Sequence, residues 1–253
     1  MAREIPMNVF TTTALWNDAL GNWAGIHDLP ARDNRAHRSG IRVMENGLLE
    51  RFVTSAHWIL PLLWSGPLVA YLLYRSVVME ERSPGSIAAL FLAGTVGWTF
   101  AEYWLHRWVF HLSPSSNRVI RSIQFAAHGY HHEFPEDPRR LVAPPIMAIP
   151  IASFLAALVI LCFPGNWPPI LAGTFFGYLC YDWVHYYAHH GRPRFAAGKF
   201  MRRFHLEHHY KSAETQFGLS SPLWDLVFST YRRPCAPTTM ERSCLGEDAN
   251  IGT

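Results

Sequence analysis

The 253-residue sequence is poor in charge and in cysteine. Charged residues make up 16% of it, against about 25% in a typical soluble domain, whereas hydrophobic residues make up 49%. This deficit of charge indicates that part of the protein surface faces lipid. The net charge of +3 is small and scattered, so no nucleic-acid partner is predicted.

Several sequence motifs are absent, and each absence disfavours a class of protein. The four cysteines contain no Cys-x-x-Cys spacing, which argues against a metal-thiolate site and a disulfide scaffold. No Glu-x-x-His and no His-Glu-x-x-His occurs, which disfavours a ferritin-type carboxylate centre and a zincin peptidase. No glycine-rich nucleotide-binding motif is present. The N-terminus has no basic region followed by an apolar run, so no cleaved signal peptide is expected.

Histidine, in contrast, is abundant and unevenly distributed. Eleven of the fourteen histidines lie within residues 106–132 and 185–209, and each window ends a long apolar stretch. We interpret His27, His37 and His57 as isolated interfacial or capping residues. Neutral imidazole is the commonest metal ligand in proteins. The two windows therefore predict a two-metal centre at a membrane surface.

Four stretches approach the length of about 20 apolar residues that crosses a bilayer, at 58–78, 86–110, 145–164 and 168–189. Short linkers join the first to the second and the third to the fourth, which predicts two helical hairpins. The expected fold is all-α, with four transmembrane helices in an integral membrane protein. Residues 1–57 are predicted as a cytoplasmic segment with an interfacial helix, 58–233 as the membrane domain and 234–253 as a disordered tail.

The distribution of basic residues predicts the orientation. Of the 22 lysine and arginine residues, only Arg75 and Arg82 lie on the side of the hairpin turns. The positive-inside rule then places both termini in the cytoplasm. A helix that starts near Ser86 brings His106 about 30 Å further, to the opposite bilayer boundary. We therefore expect a cytoplasmic helical cap that holds the metal site.

Two triplets and one pair of histidines have helical spacing. Residues at i, i+3 and i+4 lie on one helix face, so their rings can converge on a cation pair. These sets are His128, His131 and His132; His205, His208 and His209; and His185 with His189.

His106 and His111 do not have this spacing. Five residues on an α-helix leave the two rings about 140° apart, so the helix must end or distort near Ser113-Pro114. His190 is rotated about 100° from His189, which makes it the weakest candidate ligand and leaves it a supporting role.

Two carboxylates precede the helical histidines. Glu102 lies four residues before His106, and Asp182 lies three residues before His185. Ionisable groups inside membrane helices are costly and usually functional. Because ligand histidines commonly donate their second N–H to a carboxylate, we predict that Glu102 and Asp182 orient the ligand rings.

The donor set limits the chemistry without fixing the metal. An all-imidazole, oxygen-poor site suits iron, zinc, copper or nickel. A redox metal beside a bilayer suggests that O2 is activated against an acyl C–H bond. A metal transporter needs ligands along a path near the bilayer midplane, whereas these crowd one interface, and a scaffold needs no histidines at all.

Residues 86–231 resemble the membrane fatty acid hydroxylase superfamily, with fatty acid 2-hydroxylases the most similar. The resemblance rests on HRWVFH at 106–111, HGYHHEFPEDPRRLVAPP at 128–145, GYLCYDWVHYYAHHGRP at 177–193 and FHLEHHYKSAETQFGLSSPLWDLVFSTY at 204–231. It implies a di-iron centre, with zinc possible after isolation, that uses O2 to hydroxylate C2 of a long acyl chain. Sterol- or carotenoid-directed hydroxylases and desaturases of the same superfamily remain alternatives.

The resemblance also implies the site residues. No separate acid or base and no substrate-binding residue is assigned. The implied ligands are His106, His111, His128, His131, His132, His185, His189, His205, His208 and His209.

The N-terminal segment differs from that of many eukaryotic members of the superfamily, in which a cytochrome-b5-type domain supplies the electrons. The first 57 residues are too few for such a domain, and His27-Asp-Leu-Pro does not resemble a haem loop. We therefore expect a separate cytochrome-b5-type or ferredoxin-type donor, alongside a membrane lipid or acyl substrate. The predominance of arginine over lysine hints at a GC-rich bacterial genome, and we expect a bacterial inner membrane rather than the endoplasmic reticulum.

Overall fold

A computed structural model describes residues 43–44 and 46–233, without the side chain at position 118. His27, His37, most of the predicted 1–57 segment and the whole predicted tail lie outside the described residues. The described part of the chain consists of helices and loops, without a β-strand, so the all-α prediction is confirmed there. The helices are α1 (Gly47–Val53), α2 (Leu60–Tyr74), α3 (Pro84–Leu105), α4 (Arg118–Gln124), α5 (Tyr130–Glu133), α6 (Pro145–Cys162), α7 (Trp167–His190), α8 (Ala196–Tyr210) and α9 (Leu223–Val227).

Three of these helices are long and apolar enough to cross a membrane. They are Leu60–Met79, Pro84–Phe110 and Pro145–Cys162, where the first two include a π-helical extension of α2 and α3. Proline stands in the first turn of each, where its missing N–H costs no hydrogen bond. These bounds agree with the predicted spans at 58–78, 86–110 and 145–164.

The predicted fourth span corresponds to α7, which differs in character from the other three. Its 24 residues are long enough to cross a bilayer. Its composition, however, is less apolar than that of the three helices above, which are the candidate spans among the described residues. The reason is its position, since most of α7 is buried between its neighbours. The interior helix carries the polar side chains, whereas α6 has Ala148 as its one buried residue and exposes a largely aliphatic surface.

Helices α3 and α7 approach so closely that their backbones touch. A Cβ added at Gly94 would lie 1.9 Å from the carbonyl oxygen of Ile170, and one added at Gly173 would lie 1.9 Å from that of Phe91. The Thr95 hydroxyl donates across the crossing to the Gly173 carbonyl at 3.2 Å. Small residues of this kind let transmembrane helices associate by backbone packing.

The turns of the two hairpins meet at the end of the bundle away from the histidines. Arg82 donates from Nη1 to the Asn166 side chain at 2.8 Å and from Nη2 to the Gly165 carbonyl. Glu80 pairs with both Arg82 and Arg75. The two basic residues on this side are therefore held by a local acid and by the second hairpin.

At the opposite end, a buried ionic cluster joins α1 to the loop after α5. Arg140 contacts the carboxylates of Glu50 and Asp137, and its guanidinium lies 4.5 Å from the Tyr130 ring centroid. Glu50 also accepts hydrogen bonds from the backbone of Met44 and its neighbour. This cluster fixes the segment that leads from the second histidine window into α6.

The helix crossing generates a prediction about stability. Gly173→Ala should destabilise the protein by about 1–3 kcal/mol or more, because the added methyl group meets a backbone carbonyl that cannot move aside. Gly97→Ala is the matched control, since nothing lies within 4 Å of its Cβ position. The free energy of unfolding in detergent micelles measures both, and equal stability of the two variants would contradict the crossing described above.

Candidate metal centre

The ten histidines predicted as ligands lie in two groups of five. Within each group one ring nitrogen per residue lies within 4.8 Å of every other. The first group consists of His106, His111, His128, His132 and His208. The second consists of His131, His185, His189, His205 and His209.

The two groups share their helices in a regular way. In each histidine triplet, the residues at i and i+4 belong to one group and the residue at i+3 belongs to the other. His128 and His132 thus join the first group while His131 joins the second. The rings of His132 and His209 stack across the boundary with centroids 4.3 Å apart, so the groups are adjacent.

A π-helical turn explains the five-residue spacing of His106 and His111. Residues His106–Phe110 are π-helical, and the His111 amide donates to the His106 carbonyl at 3.1 Å. This i to i+5 pattern brings residues five apart to one side of the helix, and the two Nε2 atoms lie 3.1 Å apart. The predicted distortion is therefore present, but it lies before Ser113-Pro114 rather than at it.

A second π-helical turn, Phe125–Gly129, precedes the His131-His132 pair. It continues α4 and carries His128, whose Nε2 lies 3.0 Å from that of His132. Single π-turns occur frequently at functional sites, where they redirect side chains. Nothing in the residue types of this segment signals such a turn, so the sequence did not predict it.

The spacing of nitrogens suits a cation better than it suits hydrogen bonds. The Nε2 atoms of His106, His111 and His128 form a triangle with sides of 3.1–3.2 Å. A neutral ring nitrogen either donates or accepts, so three mutual neighbours cannot all be paired as donor and acceptor. Nitrogens bound about 2.1 Å from one ion at right angles would lie about 3.0 Å apart. The donor set therefore fits a bound transition metal.

Backbone carbonyls fix two rings of the first group. His106 Nδ1 donates to the Phe217 carbonyl at 2.6 Å, and His208 Nδ1 donates to the Thr215 carbonyl at 2.7 Å. Because a carbonyl only accepts, each Nδ1 carries the hydrogen and each Nε2 presents a lone pair to the centre of the group. The sequence did not identify Thr215 or Phe217, because every residue has a backbone carbonyl and the residue type does not show which carbonyl a histidine contacts.

Glu102 has a different set of partners from the predicted one. It accepts from the backbone amides of Leu219 and Ser220, at 2.6 and 2.7 Å, and from the Ser220 hydroxyl. Within the described residues it makes no hydrogen bond to a histidine. Its carboxylate instead anchors the loop whose Phe217 carbonyl holds His106, so its influence on the ring is indirect.

Asp225 holds the same loop from its other side. It accepts from the amides of Phe217 and Gly218 at 2.8 and 2.7 Å and from the Thr230 hydroxyl at 2.7 Å. Gln216, at φ 62°, makes the left-handed turn that starts the loop. The first group therefore depends on a loop that two buried carboxylates secure, and the sequence left Asp225 without a role.

The second group has fewer supports on its rings. Nδ1 of His131 and Nδ1 of His209 have no hydrogen-bond partner among the described residues. Asp182, predicted to hold His185, is fully buried, and neither of its carboxylate oxygens forms a hydrogen bond of ordinary geometry within the described part. The orienting role of Asp182 thus stays a prediction.

Burial keeps the rings on α5, on α8 and on the π-turn before α5 neutral. Loss of water, followed by the neighbouring imidazoles, lowers the pKa of His128, His131 and His205 well below the usual 6.5. The pKa of His132 falls to about 3 for the same first cause. Neutral imidazole is the form that binds metal, so the rings need not lose protons before they coordinate.

The remaining histidines of the described part lie outside both groups. His190 is exposed on α7 and lies beside Tyr186, with ring centroids 5.1 Å apart and the ring planes tilted by 35°. His57 is exposed, and its Nδ1 accepts from the Ile59 amide at the start of α2. His57 therefore contacts the backbone just before α2, and its interfacial or capping role stays a prediction.

A mainly apolar cavity reaches both groups. His128, His131 and His185 form part of its wall, and α6 supplies Met147 and Ile151. The cavity extends between α2, α3, α6 and α7 toward the apolar part of the bundle. It can bring an extended apolar chain to the histidine nitrogens and exclude bulk water from them.

Comparison with known proteins identifies relatives of this chain. The family model for fatty acid hydroxylases matches residues 91–230. The chain is 36% identical over 192 residues to dihydroceramide fatty acyl 2-hydroxylase FAH2 of Arabidopsis thaliana, covering 76% of this chain and 80% of that protein. It is 32% identical over 218 residues to human fatty acid 2-hydroxylase, covering 75% of this chain and 56% of that protein.

A solved structure has the same fold. Ceramide very long chain fatty acid hydroxylase SCS7 of Saccharomyces cerevisiae is 36% identical over 208 residues, covering 80% of this chain and 53% of that protein. The structure described as full-length scs7p, with only the hydroxylase domain visible, matches with a TM-score of 0.70 at 33% identity, covering 79% of this chain and 75% of that one. The chain belongs to the fatty acid hydroxylase family of oxidoreductases.

Proposed function

We propose that this protein is an O2-dependent di-iron monooxygenase that hydroxylates C2 of a long acyl chain. The observation that carries the proposal is the pair of five-histidine groups at the wall of one apolar cavity. The relatives support C2 as the carbon that is hydroxylated, because their names specify fatty acid or fatty acyl 2-hydroxylation. The reaction consumes O2, two electrons and two protons, and releases water.

The two groups of rings would each hold one iron ion, and the pair would supply the binding and reduction of O2 and the removal of hydrogen from the substrate. The protein's own contribution is positional. His106 and His208 keep their lone pairs inward because two carbonyls hold their other nitrogens. The cavity keeps water away and aligns the chain, so the carbon nearest the histidines is the one that reacts.

We propose that α7 is a fourth transmembrane helix and that the histidine end lies in the cytoplasm. Helix α7 has the length of its neighbours and packs along α3 and α2. The amphipathic helix α8 and the loops at 111–117 and 211–222 would form the cytoplasmic cap. Residues 1–57 and 234–253 would then lie on the cytoplasmic side of a bacterial inner membrane, with 58–233 as the membrane domain.

Electrons would come from a separate cytochrome-b5-type or ferredoxin-type protein. The chain spans about half the length of the yeast and human relatives, so the match leaves part of those proteins uncovered. A basic surface suits an acidic donor. It would comprise Arg192, Arg194, Arg202 and Arg203 at the cytoplasmic end of α7 and on α8.

The first prediction compares adjacent histidines on α7. His189→Ala should lower the amount of 2-hydroxy acyl product by at least about 100-fold. Loss of a metal ligand should reduce activity more than the about 10–100-fold that usually follows loss of a residue hydrogen-bonded to a ligand. His190→Ala should retain product, since its ring lies outside both groups. Lipid mass spectrometry of expressing cells under 18O2 measures this, with one 18O atom expected in the product. Equal product from both variants would rule out the proposed ligand role.

The second prediction concerns the loop anchored by Glu102. Glu102→Gln places an amide NH2 near the backbone donors of Leu219 and Ser220, so the loop should loosen and the Phe217 carbonyl should lose its hold on His106. We expect about 10–100-fold weaker binding of one of the two metal ions, with the helical content unchanged.

Elemental analysis of protein purified after dialysis against a chelator gives the number of metal ions per chain. Glu81→Gln, an exposed carboxylate at the other end of the bundle, is the control. Two tightly held ions in Glu102→Gln would show that the loop does not support the site.

The third prediction tests the orientation of the bundle. In a chain with all four cysteines replaced by serine, Gly165→Cys should react with a membrane-impermeant thiol reagent in intact cells. Phe195→Cys should react only after lysis. Gly165 has open space at its Cβ position and Phe195 is 82% exposed, so neither change disturbs packing. The reverse labelling pattern would place the histidine groups outside the cytoplasm.

A further inference from the structure

A line of aromatic rings leads from the first histidine group to the protein surface. The Phe217 ring lies 5.7 Å from the His106 ring between centroids, and the Tyr103 ring meets Phe217 edge to face at 6.0 Å. Trp104 follows at 5.5 Å from Tyr103, and Trp108 at 5.1 Å from Trp104. Tyr103 is fully buried, whereas Trp108 is 62% exposed. The line therefore connects the interior of the site with the surface.

Three members of this line belong to the residue types that lose one electron most easily. Tyrosine and tryptophan are oxidised far more readily than phenylalanine, so Tyr103, Trp104 and Trp108 can each carry an oxidising equivalent. We call these three residues the aromatic path. Tyr103 forms its inner end, since it contacts Phe217 and lies three residues before His106, about 4.5 Å along the helix axis.

The hydrogen bonds around the Tyr103 hydroxyl have a definite direction. Arg107 donates to the Tyr103 oxygen at 2.7 Å, so the phenol's own hydrogen is left for the Thr230 hydroxyl, 3.0 Å away. Thr230 in turn donates to Asp225 Oδ1 at 2.7 Å, because a carboxylate only accepts. The phenol hydrogen therefore starts a chain of two hydrogen bonds that ends on a buried carboxylate.

The carboxylate at the end of this chain can take up a proton. Asp225 is fully buried, and the loss of water raises the pKa of its carboxyl group above the ordinary value. A proton on Oδ1 points back to Thr230, whose hydroxyl then turns to donate to the Tyr103 oxygen. Because the reversed chain keeps both hydrogen bonds, the phenol can lose its proton without leaving a buried group unsatisfied.

We propose that Tyr103 is a redox-active residue that quenches the iron site when no substrate C–H bond is within reach. The inference rests on the proposed reaction with O2, which supplies the oxidant, and adds a protective function to it. Tyr103 gives one electron to the iron site, and its O–H bond breaks. The proton passes to Thr230 as the proton of Thr230 passes to Asp225. Tyr103 is left as a neutral phenoxyl radical, and the site is reduced by one electron.

Trp104 and Trp108 carry the oxidising equivalent onward to the surface. An electron moves from Trp104 to Tyr103 as the proton returns from Asp225, which restores the phenol and leaves Trp104 a radical cation. Trp108 then reduces Trp104 and is itself reduced by the electron-donor protein. The Arg107 guanidinium lies 6.0 Å from the Trp104 ring centroid and disfavours positive charge there, so the equivalent stays longest on Tyr103.

Electron paramagnetic resonance tests the proposal on the whole enzyme. The iron-loaded protein, in detergent micelles free of acyl lipid, is reduced without air, mixed with O2 and frozen rapidly. The wild type should give an organic radical signal, and growth on ring-deuterated tyrosine should narrow it. A hydroxylatable acyl lipid added before O2 should suppress the signal, because its C–H bond then supplies the electron and the proton.

Three variants assign the signal to a residue. Tyr103→Phe should lose it, and Thr230→Val should lose it as well, because valine cannot pass the proton on. Tyr181→Phe is the matched control and should keep the signal. The Tyr181 ring lies 5.8 Å from that of His185, but its hydroxyl makes no hydrogen bond to a carboxylate among the described residues. Elemental analysis should find the same iron content in all three variants.

Persistence of the radical in Tyr103→Phe, or its loss in Tyr181→Phe with iron retained, would overturn the proposal. So would a wild-type line shape that deuterated tyrosine leaves unchanged, a result that needs no substituted protein. Failure of the proposed function appears separately, as a wild type that forms no 2-hydroxy product when acyl lipid and an electron donor are supplied. A wild type that forms this product but gives no radical without lipid contradicts the role of Tyr103 alone.

Discussion

Nitrogen lone pairs converge at two points inside this protein, and the surrounding helices must hold them there against their mutual repulsion. At about 3 Å the ring nitrogens are too close for a consistent set of hydrogen bonds, yet burial lowers the pKa of His128 and keeps its ring uncharged. The rest of the structure can be understood as a frame for this arrangement. The backbone contact of α3 with α7 fixes the two helices that carry His106 and His185, and the loop at 215–220 fixes rings from the other side.

The two histidine groups differ in the hydrogen bonds that hold their rings. The first is supported by carbonyls and by a loop that Glu102 and Asp225 secure, whereas His131 and His209 in the second have an unpartnered Nδ1 within the described part. The second group also lines the cavity, through His131 and His185. The hydrogen-bonded support of the rings is therefore concentrated on the first group.

Residue spacing in the sequence predicted many of the helices and most of the histidine positions at the site. Apolar length predicted four spans, of which three are helices long and apolar enough to cross a membrane. The i, i+3, i+4 rule predicted that each histidine triplet lies on one face. The rule could not assign His131 to a different group from His128 and His132, because that depends on which helices stand opposite. The π-turn at His106 was inferred only as a distortion, since backbone hydrogen bonding is not encoded by any one residue type. Hydropathy overestimated the apolar character of α7, whose polar residues face the interior. Asp182 and Glu102 were recognised as unusual, but their partners depend on the tertiary fold.

Each group takes rings from both the early and the late windows of the chain. His106 must meet His208, and His131 must meet His205 and His209, while the carbonyl that holds His106 comes from residue 217. During translation, neither group of rings can be complete until α7 and α8 have left the ribosome and α8 has folded back. A nascent chain therefore cannot present all five rings of either group to a metal ion until α8 is in place.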